Sequence, residues 1–469
     1  MIRRAPTALL VLALLAACLT VGARAANRMW VGFTDDPKLR FDHDRSAELD
    51  LVAASHATVV RTLVQWWTTA PTRPADPTNP FDPAYRFDDL DELVRNAQNR
   101  GIEVEMAVWG TPSWANDGQA PQYAPTDPKD FQNFMQALAS RYSGRYPGYP
   151  FVRFYGIWNE SNLATFLRPQ YDAAGAIVGP SVYARLAVAG LRGVKAGNAQ
   201  ALVAIGETSS NGRTKHVAGL TDTVAPGTFL ELVAKAAPRL RFDAWAQHPY
   251  PFPVSQAPTQ KVRWPNIGMT SLSTLEAALD KHFRKGIPIW ITEYGNETKP
   301  GEPRGVTEAQ QATYLPQAVA IARKDPRVQM FIWFVFSDST GSTWQSGLYR
   351  LDGTPKPAAA NWSAAVAGLD ARNGFATAPT GTVDPVVTAY VREFCNNNPV
   401  GAAVGTTSRV YSRGKLVGVT QARLALGIDC TVHVELPVTV AKKGTYAVVI
   451  DLNAAAGNEL RRVITLTAR

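Results

Sequence analysis

Arg153-Phe-Tyr-Gly-Ile-Trp-Asn-Glu160 is the stretch on which the architecture turns. Residues 154–158 are an apolar, aromatic-rich run, bounded upstream by Pro147, Gly148 and Pro150, and read as a short buried strand. The run ends on an amide and a carboxylic acid, Asn159-Glu160, and Ser161-Asn162 turn the chain. Charge at the tip of a buried strand is costly unless it is paired or used. A second apolar run, Pro288-Ile-Trp-Ile-Thr-Glu293-Tyr-Gly295, ends the same way. Two carboxylates on two strand tips point to a working pair.

Outward from this stretch, strand-like runs alternate with helix-like runs. Strands are predicted over 29–34, 58–65, 102–109, 154–158, 201–206, 242–247, 287–292 and 329–336. Helices are predicted over 46–54, 87–100, 128–142, 181–196, 228–237, 271–285, 307–323 and 358–369. Asp127-Pro128 reads as a cap with proline at the first helical position, and Thr307-Glu-Ala-Gln310 as a capping box. The strands are near-continuous apolar runs, as parallel strands covered on both faces require. Eight such units predict an α/β fold, a (β/α)₈ TIM barrel over residues 26–375. From Asn373 to Pro385 the composition becomes linker-like, rich in Gly, Thr and Pro. Beyond it, short alternating segments at 386–391, 416–420, 431–436 and 446–451 predict a small antiparallel β-sandwich over 383–469.

The first 25 residues read as an export leader: Arg3-Arg4, an apolar run from Ala8 to Ala17, then Ala23-Arg24-Ala25 at the cleavage position. Secretion is therefore expected. Leu15-Ala-Ala-Cys18 offers a lipid anchor as the alternative. Removing the leader takes three Arg and lowers the net charge from +9 to +6, a mild, dispersed excess that does not indicate nucleic-acid binding. Cys395 and Cys430 then remain, an even pair that suggests one disulfide in an exported protein. No Cys or His cluster has metal-ligand spacing, no other segment is apolar enough to span a membrane, and a monomer is expected.

In barrels of this kind the active site lies at the C-terminal ends of the strands. Glu160 and Glu293 fall on the fourth and seventh strands, which face each other across the mouth. Hydrolysis of an acetal between sugars uses such a pair: one acid protonates the leaving oxygen while the other attacks the anomeric carbon or activates water. Trp-Asn-Glu160, His248-Pro-Tyr250, Thr-Glu293-Tyr-Gly and Trp333 together resemble the clan A glycoside hydrolases, retaining (β/α)₈ enzymes. Trp109-Gly-Thr-Pro-Ser-Trp114 resembles family 39; family 5 is next, although its usual histidine near the end of the third strand is absent.

The resemblance implies Glu160 as acid/base, Glu293 as nucleophile, and Asn159 as a donor to the sugar 2-hydroxyl. It implies Tyr250 as partner of Glu293, His248 as support for the acid/base, Trp333 as the stacking floor and Arg61 as the residue orienting the nucleophile. Trp66, Trp67, Trp109, Trp114 and Trp344 are sugar-stacking candidates, with packing as the alternative reading. Glu207 is either a substrate contact or a structural partner, and Asp35, Asp36 and Asp338 stay unassigned. The expectation is a retaining glycosidase on an oligo- or polysaccharide, without metal or organic cofactor. An envelope-remodelling transglycosylase and a non-catalytic glycan-binding barrel are the alternatives.

Overall fold

The computed structural model describes residues 29–340, 344–367, 369, 373–377, 386–391, 401–426, 431–435, 444–454 and 459–468. The expected leader with Cys18, and the expected Cys395–Cys430 disulfide, lie outside these residues.

Eight parallel strands close into a barrel: β1 (Trp30–Thr34), β2 (Val59–Gln65), β3 (Glu103–Trp109), β6 (Phe154–Ile157), β7 (Leu202–Thr208), β8 (Ala244–Gln247), β9 (Ile289–Tyr294) and β10 (Val328–Phe334). Each lies within two residues of its prediction at both ends. β4 (Ser143–Tyr146) and β5 (Tyr149–Phe151) form a hairpin between β3 and β6 that the sequence reading missed. The expected caps are present. Lys129 N donates to Asp127 Oδ1 at 2.8 Å, and Thr307 and Gln310 exchange bonds of 2.9 and 3.2 Å.

Side-chain parity along the strands decides what reaches the site. Val59, Phe154, Ala204, Ala244, Ala246, Trp290, Met330 and Ile332 fill the barrel interior as one buried cluster. Their neighbours Val60, Tyr155, Ile205, Trp245, Ile291, Phe331 and Trp333 point outward into the larger core beneath the helices. The inward residues one step further along the strands are the polar ones described below.

β11 (Asn373–Thr377), β12 (Val386–Val391) and β15 (Thr431–Glu435) make a three-stranded antiparallel sheet. β13 (Ala403–Ser412), β14 (Lys415–Ala425), β16 (Gly444–Ala454) and β17 (Glu459–Ala468) make a four-stranded one. A shared core joins Val432 of the first sheet to Val404, Val448, Ile450 and Leu466 of the second. The start of the expected linker is strand β11, paired with β12. The four-stranded sheet rests on the β4–β5 hairpin. Gly148 N donates to Thr465 Oγ1 at 3.2 Å, and the Arg461 guanidinium lies over the Phe151 ring at 4.7 Å. Because this hairpin leads directly into the start of β6, the contact is at the N-terminal end of the barrel, opposite the mouth. Among the described residues no helix is long and apolar enough to cross a membrane.

Candidate active site

The sequence-predicted residues converge at the C-terminal ends of the strands. Glu160 leaves β6 through two non-glycine residues in the left-handed region, Trp158 (φ 72°) and Glu160 itself (φ 35°), a strained exit of the kind found at functional sites. Glu293 owes its position to an irregularity. The register of β9 against β10 slips between Ile291 and Tyr294. Thr292 and Glu293 therefore both face inward, and Tyr294 returns to the outer core. One carboxylate oxygen of Glu160, one of Glu293 and a ring nitrogen of His248 all lie within 4.8 Å of one another.

Each carboxylate is held by its own partners. Glu293 Oε1 accepts from Arg61 Nη1 at 2.7 Å, and its Oε2 accepts from the Tyr250 hydroxyl at 2.9 Å. Glu160 Oε1 lies 3.2 Å from His248 Nδ1, which is also 3.5 Å from Glu293 Oε2. Arg61 Nη2 donates to Asn159 Oδ1 at 3.0 Å. That bond fixes the amide and leaves its NH₂ as the donor on the cleft side. Thus the fork of one arginine sets both the nucleophile candidate and its neighbouring amide.

Two carboxylates that line no part of the cleft complete this layer. Glu207 (φ 46°), at the tip of β7, collects three donors on Oε2: Arg61 Nη2 at 3.1 Å, His248 Nε2 at 3.0 Å and Thr292 Oγ1 at 2.9 Å. Glu105, in mid-β3, meets Arg61 Nε at 3.1 Å, and neither of its oxygens takes a hydrogen bond. Sequence reasoning missed Glu105, although an acid inside an apolar strand run was the available signal. Gly156 makes room for both: a Cβ there would lie 2.5 Å from Glu207 Oε1 and 2.7 Å from Glu105 Oε1.

Four carboxyl groups face two cationic side chains here. A dry site does not hold the surplus negative charge, so protons settle where burial is deepest and cation contact is least. Burial pushes Glu105 well above the usual carboxyl range, with Arg61 only partly opposing it. Burial also raises Glu160; His248 opposes the rise and the Glu293 charge adds to it. For Glu207, burial is outweighed by Arg61, His248 and Thr292, and it is lowered. Burial alone would lower His248, but Glu293, Glu160 and Glu207 bring it to about 10. Burial likewise works against the Arg61 charge, and the Glu207, Glu293 and Glu105 carboxylates more than restore it. Tyr250 is raised by burial and by Glu293, so it stays a donor.

Above this layer opens a cleft of about 480 Å³. Asn159, Glu160, Tyr250 and Glu293 form its floor, and Phe166, Phe252, Phe334 and Trp344 are its aromatic walls. Trp333 is not among them. It is fully buried, its Nε1 donates to Ser346 O at 2.9 Å, and it packs against Tyr294. Phe334, one residue further on, lines the cleft instead, because Met330 and Ile332 point inward and Phe334 continues that parity.

Packing corrects two more expectations, Trp109 and Trp114, and bears out the packing reading of Trp66. Trp109 is wedged between Trp67 and Phe166, with ring centroids 4.7 and 5.0 Å away, and does not line the cleft. Trp114 donates to Ala70 O at 2.7 Å and its face is covered by Arg73 at 4.5 Å. Trp66 is a core residue stacked on Phe134. Arg61 and His248, also expected at the substrate, are fully buried beneath the cleft and touch its carboxylates instead. Of the unassigned acids, Asp35 accepts from Ser337 N and Lys38 N, Asp36 from Thr62 and Leu63, and Asp338 pairs with Lys356 at 2.7 Å.

Among solved structures, the chain is similar in fold to a family 39 glycoside hydrolase from the gut symbiont Bacteroides cellulosilyticus WH2, at TM-score 0.54 and 18% identity over 88% of this chain and 82% of that one. A glucosidase from Croceicoccus marinus aligns at TM-score 0.54 and 13% identity, covering 93% and 96%. GH5_18 from Streptomyces cattleya, solved in complex with GlcNAc, aligns at 0.53 and 18%, covering 73% and 80%. No curated protein sequence matches significantly. The barrel fold is shared with these structures, and the two families named from sequence both recur among them. Residues 38–338 match the family described as Cellulase (glycosyl hydrolase family 5), a span that runs from just after the barrel's first strand through its eighth, with every residue of the carboxylate layer inside it. The chain belongs to glycosyl hydrolase family 5 and is a glycoside hydrolase.

Proposed function

We propose that the protein is a retaining glycosidase that cleaves a β-linked oligo- or polysaccharide by double displacement, with Glu160 as acid/base and Glu293 as nucleophile. The observation that carries this reading is the approach of the two carboxylates to within 4.8 Å across an open cleft. Retaining enzymes hold their pair about 5–5.5 Å apart, whereas inverting ones leave about 6.5–9.5 Å for a water.

In the first step, Glu293 attacks the anomeric carbon while Glu160 gives its proton to the departing glycosidic oxygen. The bond to the leaving sugar breaks as the ester to Glu293 forms. In the second step, Glu160, now a carboxylate, takes a proton from water. The hydroxide so made displaces Glu293 and restores both groups. The burial that raises Glu160 favours its protonated form, the one the first step needs. The Asn159 NH₂ is placed to donate to the 2-hydroxyl, and Phe334, in place of Trp333, is the ring beside the reacting sugar.

The test is Glu293→Ala with azide. Turnover of an aryl glycoside should vanish, and azide should restore it with a glycosyl azide of inverted configuration as product. Ordinary turnover by the variant would overturn the assignment. Glu160→Ala should cost about 10²–10⁴-fold on poor leaving groups, as loss of a proton donor does. We also place the protein outside the cytoplasm, on the strength of residues 1–25. N-terminal sequencing of the secreted product should start near Ala26; a start at a lipid-modified Cys18 would favour the anchored alternative.

A further inference from the structure

We propose that Glu207, which never reaches the cleft, is the positioning residue that keeps the His248 ring protonated on both nitrogens and thereby sets the proton affinity of Glu160. The geometry is a three-membered chain. Glu207 Oε2 meets His248 Nε2 at 3.0 Å, and His248 Nδ1 meets Glu160 Oε1 at 3.2 Å and Glu293 Oε2 at 3.5 Å. All ring-nitrogen contacts of His248 are to carboxylate oxygens, which only accept when ionised, so a ring that donates from both nitrogens satisfies every one of them.

The charged and titratable groups facing this ring come from four other strands. They are Glu207 on β7, Glu160 after β6, Glu293 on β9, and Arg61 on β2, which binds Glu207 and Glu293 from below. Tyr250, from the same segment as His248, stands edge-on to the ring at 6.3 Å. Glu105 on β3 faces the opposite side of Arg61. Glu207 is the one carboxylate on this ring that is fully enclosed and holds two further donors, Arg61 and Thr292. It is therefore a fixed negative charge, whereas the charges of Glu160 and Glu293 change as the reaction proceeds.

The His248 charge favours the ionised form of Glu160. Removing that charge raises the proton affinity of Glu160, and the alkaline limb of kcat/KM moves to higher pH. Glu207→Gln keeps an acceptor for Nε2–H and deletes the charge. The expected result is an upward shift of the limb of about one pH unit or more in Glu207→Gln. His248→Gln should shift it in the same direction, and the double variant should shift it no further. A structural defect alone would lower kcat without moving the limb; an unmoved limb, or shifts that add in the double variant, overturns the proposal.

A second measurement needs no variant of Glu207. In ¹⁵N-histidine spectra at pH 8, assigned by difference against His248→Gln, both nitrogens of this ring should resonate as protonated. One unprotonated nitrogen overturns the proposal even if Glu207→Gln fails to fold. The kinetic arm rests on Glu160 being the acid/base of the proposed reaction and the spectrum does not, so the two readings fail separately: an alkaline limb that survives Glu160→Ala removes the catalytic assignment, and the spectrum still judges Glu207.

Discussion

Glu105 is the residue whose placement is hardest to reconcile with ordinary rules. It is a fully buried acid with no hydrogen bond on either oxygen, facing one nitrogen of an arginine that serves three other groups. Burial raises its proton affinity in the folded state, so folding takes up a proton there. The sign follows from linkage. A carboxyl whose folded pKa lies above its unfolded value contributes stability below the unfolded pKa, about 4.3 for Glu, and that contribution fades as pH rises toward the folded value. Glu105→Gln, a neutral mimic of the protonated acid, should therefore melt close to wild type near pH 4 and higher than wild type at pH 8. Thermal melts across that range check it. A variant less stable at pH 8 than at pH 4, relative to wild type, would show that Glu105 works as an ionised partner of Arg61.

At the scale of the element, strand parity explains both what the sequence revealed and what it hid. The eight barrel strands were legible because each is apolar on both faces, one against the barrel interior and one against the helices. Glu160, Glu293, Asn159, His248, Tyr250 and Arg61 were legible because polar groups at the tips of such strands stand out. Parity itself was not legible, since it depends on the register between strands. Trp333 was the more prominent residue, yet β10 sends Met330, Ile332 and Phe334 toward the barrel axis. In β9 the slip that turns Thr292 and Glu293 the same way depends on pairing with β10, which no single strand encodes. In the C-terminal sheets, β13 escaped notice because its buried face interposes Thr406 and Ser408 between Val404 and Val410, which breaks the apolar alternation over its ten residues. The corrected parity makes a paired prediction. Phe334→Ala should lower kcat/KM on an aryl glycoside with little change in melting temperature. Trp333→Ala should lower the melting temperature, as loss of a buried aromatic costs roughly 3–5 kcal/mol. Activity assays and melts on the two variants check it, and the reverse pattern would restore Trp333 as the sugar platform.

At the scale of the whole molecule, the barrel carries its two associations at opposite ends. The mouth holds the cleft, and the four-stranded sheet sits at the base on the β4–β5 hairpin. Arg461 is one tie in that seam, bound to Asp451 on its own sheet and laid over Phe151 of the hairpin. Arg461→Ala should weaken the seam by about 1–2 kcal/mol, the range for a partly desolvated cation on a ring. It should leave kcat and KM for a small aryl glycoside unchanged. Calorimetry should show the earliest melting transition moving down while activity per folded molecule stays constant. A change in KM would mean that the sheet reaches the cleft.

The same polarity has a practical side. The last described strand, Glu459–Ala468, pairs within the sheet at the base and contacts the hairpin there. A resin or electrode gripping the molecule at this face would hold every copy with its opening toward the liquid, away from the support.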